Sequence, residues 1–189
     1  MLGRLDHPGI AKIYESGTQT DTDDAQPYFA MELIQGSWLL DHREQHERRS
    51  RGRVAPMALV CDAIEHAHQK RAIHHDLEPS NIMVIESGHP QVLDVGVACA
   101  GDINLQATLR TSTGRIVGAA PHMSPEQINS DVHAPDVRSD VYSLGVVLYK
   151  MLSGQRPCEL DGRTEFEVAR VVRQDQPTRL GILRLGLRG

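Results

Sequence analysis

The stretch that most narrows what this chain can fold into is Ala72-Ile73-His74-His75-Asp76-Leu77-Glu78-Pro79-Ser80-Asn81-Ile82-Met83-Val84, answered by Val92-Leu93-Asp94-Val95-Gly96. Its apolar ends, Ile73 and Ile82–Ile85, read as short strands that pin a polar loop between them. An Asp on such a loop can orient and deprotonate a hydroxyl. An Asn five residues further on, with a second Asp after a hairpin, supplies hard oxygen ligands suited to Mg²⁺. Glu86-Ser87-Gly88-His89-Pro90 supplies the hairpin turn, ahead of a strand over residues 91–93. Asp-x-Gly and Pro-Ser-Asn each occur in ordinary turns, so the weight falls on order and register.

That order continues. Met123-Ser124-Pro125-Glu126-Gln127 follows, and then Ser139-Asp140-Val141-Tyr142-Ser143-Leu144-Gly145. In this succession H-x-D-L-x-x-x-N and D-x-G resemble the catalytic loop and metal-binding motif of the protein kinase family, in a bacterial Ser/Thr form. The resemblance covers about residues 2–177. It implies an α+β, protein-kinase-like fold, mainly the helical C-terminal lobe with a remnant of the N-terminal β lobe. Residues 1–35 would be that remnant (a helix end, two strands and the hinge), residues 36–177 the C-terminal lobe, and residues 178–189 a tail that resembles nothing.

The resemblance also implies roles. Asp76 would be the catalytic base, and Asn81 and Asp94 would hold Mg²⁺ for phosphoryl transfer from ATP to a protein hydroxyl. Met31 would be the gatekeeper, with the backbone of Glu32 and Leu33 meeting adenine. His74 would stack with Val95, Asp140 would bond the catalytic-loop backbone, and Glu126 would pair with an Arg that this register puts beyond Gly189.

Three positions depart from the family pattern. His75 stands where an Arg receives the activation-loop phosphate, and a neutral imidazole cannot give a bidentate charge-assisted contact. Glu78 stands where a Lys steadies the transferring phosphoryl group. A unit charge pair at about 4 Å is worth about 4 kcal/mol at an effective dielectric of 20, so this reversal is severe. Ala119 stands where a Thr hydroxyl bridges the catalytic Asp and that Lys. The register also puts the ATP-covering Gly-rich loop, the strand Lys and its helix Glu ahead of Met1. The expectation is therefore a Ser/Thr kinase by family that is truncated and inactive as this chain. The alternatives are a pseudokinase-like binding or scaffold module and a truncated product without a role.

Periodicity places the remaining elements. A turn and short strand fall over residues 7–16, and a strand over Tyr28–Leu33. A short helix is expected over residues 38–47, then a solvated basic linker over residues 48–53. A core helix over residues 56–69 carries Val60, Ile64 and Ala67, and its His66 and His68 face different directions. A buried helix over residues 138–152 carries Val141, Leu144, Leu148 and Leu152, widened by Val147 and Met151, and Gly154 closes it. A last helix covers residues 165–173. Residues 97–118, polar and aperiodic with Thr108, Thr111, Ser112 and Thr113, suit an activation segment.

Totals exclude other classes. A net charge of −5 with no basic run interleaved with aromatics argues against a nucleic-acid surface. Three cysteines without Cys-x-x-Cys spacing suit reduced thiols in a cytoplasmic setting, and the ten histidines lack metal-site spacing. No apolar run spans a bilayer. The expected partners are a protein substrate or regulatory partner, with self-association through an uncovered upper sheet.

Overall fold

The computed structural model describes residues 5–19, 26–46, 50–95, 122–128, 136–160 and 162–183. Ala119 and residues 97–118, the expected activation segment, lie outside them.

Two strands near the start, β1 (Ile13–Gln19) and β2 (Gln26–Met31), pair antiparallel, with Ile13 opposite Met31 and Gly17 opposite Tyr28. The second sheet is antiparallel in the order β3 (Gly36–Trp38), β4 (Ile82–Ile85), β5 (Pro90–Val92). Gly36 is required there, since a Cβ on it would lie 2.3 Å from the Val84 carbonyl oxygen. The segment before β1 docks on this sheet: the Ala11 amide donates to the Val92 carbonyl at 2.9 Å, and the Val92 amide to that of Gly9 at 2.8 Å. The two sheets are thereby joined through residues 9–11.

Among the described residues the α-helices are α1 (Leu39–His46) and α2 (Ser50–Gln69), between β3 and β4, and, after β5, the single turn α3 (Pro125–Ile128), α4 (Val137–Ser153) and α5 (Glu165–Gln174). The Asp136 side chain caps α4 by accepting from the Arg138 amide, and Gly154, at φ 76°, ends it in the left-handed conformation that glycine adopts freely. Thr164 and Glu167 form a reciprocal capping box on α5. Met57, Val60, Ala63, Ile64 and Ala67 of α2 share one core with Val147 and Met151 of α4, and with Ile82, Val84 and Val92 of the second sheet. Leu160, Val168 and Val171 form a smaller core under α5. No helix among the described residues is long and apolar enough to cross a membrane.

Several boundaries differ from the sequence expectation, each for a physical reason. Helix α2 starts at Ser50, so the basic residues 50–53 are helical and not a linker. The Arg53 guanidinium donates to the Leu152 carbonyl at 3.3 Å, which draws this segment onto the end of α4. Pro56 then falls inside the helix, at the cost of one intrahelical bond. Trp38 belongs to β3, paired with Met83, and Ile73 is in no strand, because the amides after it are taken by a side chain. Strand β2 ends at Met31, and β5 covers Pro90–Val92.

The largest difference is the buried face of α4. Ser139, Asp140, Ser143, Val146, Val147 and Met151 point inward, while Val141 is 61 % exposed. The face is turned by polar residues that have work to do in the interior. Val147→Ala, at a fully buried position, should cost about 2 kcal/mol or more in urea unfolding, whereas Val141→Ala should stay within about 0.5 kcal/mol. Equal losses would mean that this helix face is wrongly assigned.

Candidate active site

Helix α2 ends where the Ala72 amide turns back to the Ala67 carbonyl at 3.0 Å, with Arg71 at φ 61°. The chain then enters the loop from His74 to Asn81. Asp140, 1 % exposed on α4, accepts the His75 amide on Oδ1 and the His74 amide on Oδ2, both at 2.9 Å. His68 Nε2 lies 2.7 Å from the same Oδ2. Facing a carboxylate, that nitrogen is the protonated one. Three donors thus compensate one buried carboxylate. They hold His75 at φ 67°, a conformation of order 1–3 kcal/mol unfavourable for a residue with a Cβ.

The remaining bonds converge on the three residues singled out above. The Asp76 amide approaches His74 Nδ1 at 3.3 Å while His74 Nε2 meets the Leu93 carbonyl at 2.9 Å, so one neutral tautomer satisfies both. The Asn81 side-chain amide donates to the Asp76 carbonyl at 2.7 Å, and the Leu93 amide to the Asn81 carbonyl at 2.8 Å. Asp76, Asn81 and the neighbour of Asp94 therefore form a single bonded network. Leu77, fully buried, anchors the loop from below, and Val95 is buried in the same core. Asp94 itself sits at φ 58°.

Asn81 uses its side-chain nitrogen on the Asp76 carbonyl, which leaves its side-chain oxygen as an acceptor. One amide oxygen and one carboxylate suit Mg²⁺, which keeps waters and shares substrate phosphates rather than filling a protein cage. No group of three or more His, Cys, Asp or Glu is placed to hold a metal among the described residues, as that mode of binding allows.

Charge around the loop is unevenly distributed. Packing around the Asp76 carboxyl raises its proton affinity above the ordinary Asp range although solvent reaches the side chain, and the negative charge of Glu78 adds to this. Glu78 is held below the ordinary Glu range, chiefly by His122, whose Nδ1 lies 3.3 Å from its Oε2, and also by the Ser80 hydroxyl. The His122 contact is ionic in distance but not aligned as a hydrogen bond, and both ring nitrogens lack a hydrogen-bond partner among the described residues. Burial pulls the His75 imidazole below its ordinary range and outweighs the nearby Asp140, which leaves it uncharged at neutral pH.

The residues expected to meet adenine are less organised. Met31 is half-buried opposite Ile13. The Glu32 amide is committed to the Lys12 carbonyl at 2.8 Å, so only its carbonyl remains to face a base, and Leu33 is 84 % exposed. Glu126 is exposed and accepts from the Ser139 hydroxyl at 2.9 Å. Sequence reasoning missed His68, His122 and Gln127 as members of this network. The S-x-x-Q spacing of Ser124 and Gln127 was the one local signal available, as a helix-start pattern.

The protein kinase domain family model matches residues 1–180. A probable serine/threonine-protein kinase of Corynebacterium efficiens is 35 % identical over 177 residues, 93 % of this chain and 26 % of that protein. The serine/threonine-protein kinase PknB of Mycobacterium tuberculosis is 37 % identical over 155 residues, 81 % of this chain and 24 % of its own length. The chain spans about a quarter of the length of these relatives.

Removing the Glu78 charge should relax Asp76. In Glu78→Gln the Asp76 carboxyl should titrate at lower pH than in the parent, because the anion that helps to hold its proton affinity up is gone. Carbon-13 NMR of the carboxyl checks this, and an unchanged or raised midpoint would contradict the charge assignment.

Proposed function

We propose, from the premise that this chain belongs to the protein kinase family in its bacterial Ser/Thr branch, that the loop from His74 to Asn81 is built for phosphoryl transfer to a protein Ser or Thr hydroxyl. The observation that supports the reading is the bonded network joining Asp76, Asn81 and Leu93, the residue before Asp94, together with the raised proton affinity of the Asp76 carboxyl. Asp76 accepts the proton of the substrate hydroxyl at its carboxylate, and its raised affinity favours that transfer. Asn81 and Asp94 would hold Mg²⁺, which would supply neutralising charge for the phosphates of ATP. His74 keeps Asp76 and the Asp94 turn in register through its two ring nitrogens. Met31 and the carbonyl of Glu32 border the adenine side.

Glu78 favours a second reading, a binding or scaffold module that keeps the fold without efficient turnover. A carboxylate held ionised beside Asp76 opposes the charge of an incoming phosphate. Ala119 removes the hydroxyl that the family uses at that point.

Grafting a complete upper lobe from a bacterial relative onto this chain separates the two. In that chimera, with Mg-ATP and a protein substrate, activity should be low. Glu78→Lys with Ala119→Thr should raise kcat by more than the two single changes combined, since the Lys needs the hydroxyl to hold it. Asp76→Asn should then abolish the gain. Equal activity with Glu or Lys at position 78 would refute the inhibitory role of Glu78, and no phosphotransfer in the doubly restored chimera would refute the kinase reading.

A further inference from the structure

We infer that Gln127 is a positioning residue that ties the turn α3 to the backbone of the catalytic loop and so helps to set the place of Asp76. The inference deepens the kinase reading, on which its catalytic consequence rests.

His75, immediately before Asp76, carries a positive φ and must be held on both sides of its peptide units to keep it. Its amide is taken by Asp140. Its carbonyl is taken by Gln127, whose side-chain nitrogen donates to it at 2.5 Å across a separation of 52 residues. The other end of the same side-chain amide accepts the Ser124 amide at 2.9 Å, and the Ser124 hydroxyl lies 3.4 Å from the Gln127 amide. Ser124 is fully buried, so this capping arrangement fixes Gln127 in turn. Every polar atom of the Gln127 side chain is thus in use, one end on α3 and one on the loop.

The chemistry of the side chain makes the two ends separable. Glutamate at this position keeps the acceptor for Ser124 but offers no donor to the His75 carbonyl, and at neutral pH sets an anion against it. Lysine does the reverse, keeping a donor for His75 while losing the acceptor for Ser124. A residue serving only to cap α3 would be replaced without loss by Glu. A residue that positions the loop would not.

Native-state hydrogen exchange of the 189-residue chain, read by NMR, tests this. In Gln127→Glu the His75 and Asp76 amides should exchange about tenfold faster than in the parent, while Ile128 on α3 and Val147 in the core stay within about twofold. In Gln127→Lys the pattern should invert, with Ile128 faster and His75 unchanged. Unchanged His75 and Asp76 exchange in Gln127→Glu would overturn the inference, as would acceleration of all four amides together in both variants. If Gln127→Glu does not fold, slow His75 exchange in Gln127→Lys is the supporting result and fast exchange the refuting one. None of these readings uses activity, so they stand or fall apart from the kinase assignment. In an active upper-lobe chimera the same Gln127→Glu should lower kcat with little change in the KM for ATP.

Discussion

A buried carboxylate accepting from the amides of two successive residues is the constraint on which the rest of this structure depends. The three donors offset the cost of burying the Asp140 carboxylate, and Asp140 in turn holds the loop with His75 at positive φ. Each side therefore supplies what the other lacks. Helix α4 turns Asp140 to the loop, Ser139 to Glu126 and Ser143 to the His122 carbonyl, and packs on α2 through Val147 and Met151 further along. His68 on α2 meets the same carboxylate, so both core helices bear on the loop that carries Asp76.

This arrangement shows what could be read from the chain and what could not. The loop, its flanking strand β4 and the hairpin after it were legible because they are local: turn residues, alternating burial and short apolar runs lie within a dozen positions of each other. The face of α4 was not, because apolar periodicity assumes that polar residues face water, whereas Asp140 bonds the loop and the buried Ser139 and Ser143 bond Glu126 and the His122 carbonyl. Position 73 failed as a strand for a related reason, since a side-chain carboxylate and not a neighbouring strand takes the amides that follow it. The start of α2 was hidden by Pro56, which usually opens a helix but here lies within one that Arg53 anchors to α4. The contacts of His122 with Glu78 and of Gln127 with His75 join distant parts of the chain and have no local pattern.

The charges present a consistent chemical picture around one point. Burial makes His75 a neutral ring where the family has a cation, and Glu78 is an anion where the family has another. The buried His122 ring lies 3.3 Å from the Glu78 carboxylate, and Lys150 of α4 also acts on Glu78. Asp76 is left with a raised proton affinity, favourable to a proton acceptor, in surroundings less favourable to a phosphate. Site geometry and site charge thus point in different directions, and the geometry depends on Asp140 while the charge depends on Glu78.

The most direct test of the account is the unfolding free energy of Asp140→Ala in urea, measured beside the parent chain. Deleting the one acceptor shared by two buried amides and His68 should cost about 3–5 kcal/mol, the range for breaking a buried charged contact on one side only. A loss below about 1 kcal/mol, with cooperative unfolding intact, would show that the loop holds its conformation without Asp140 and would contradict the account.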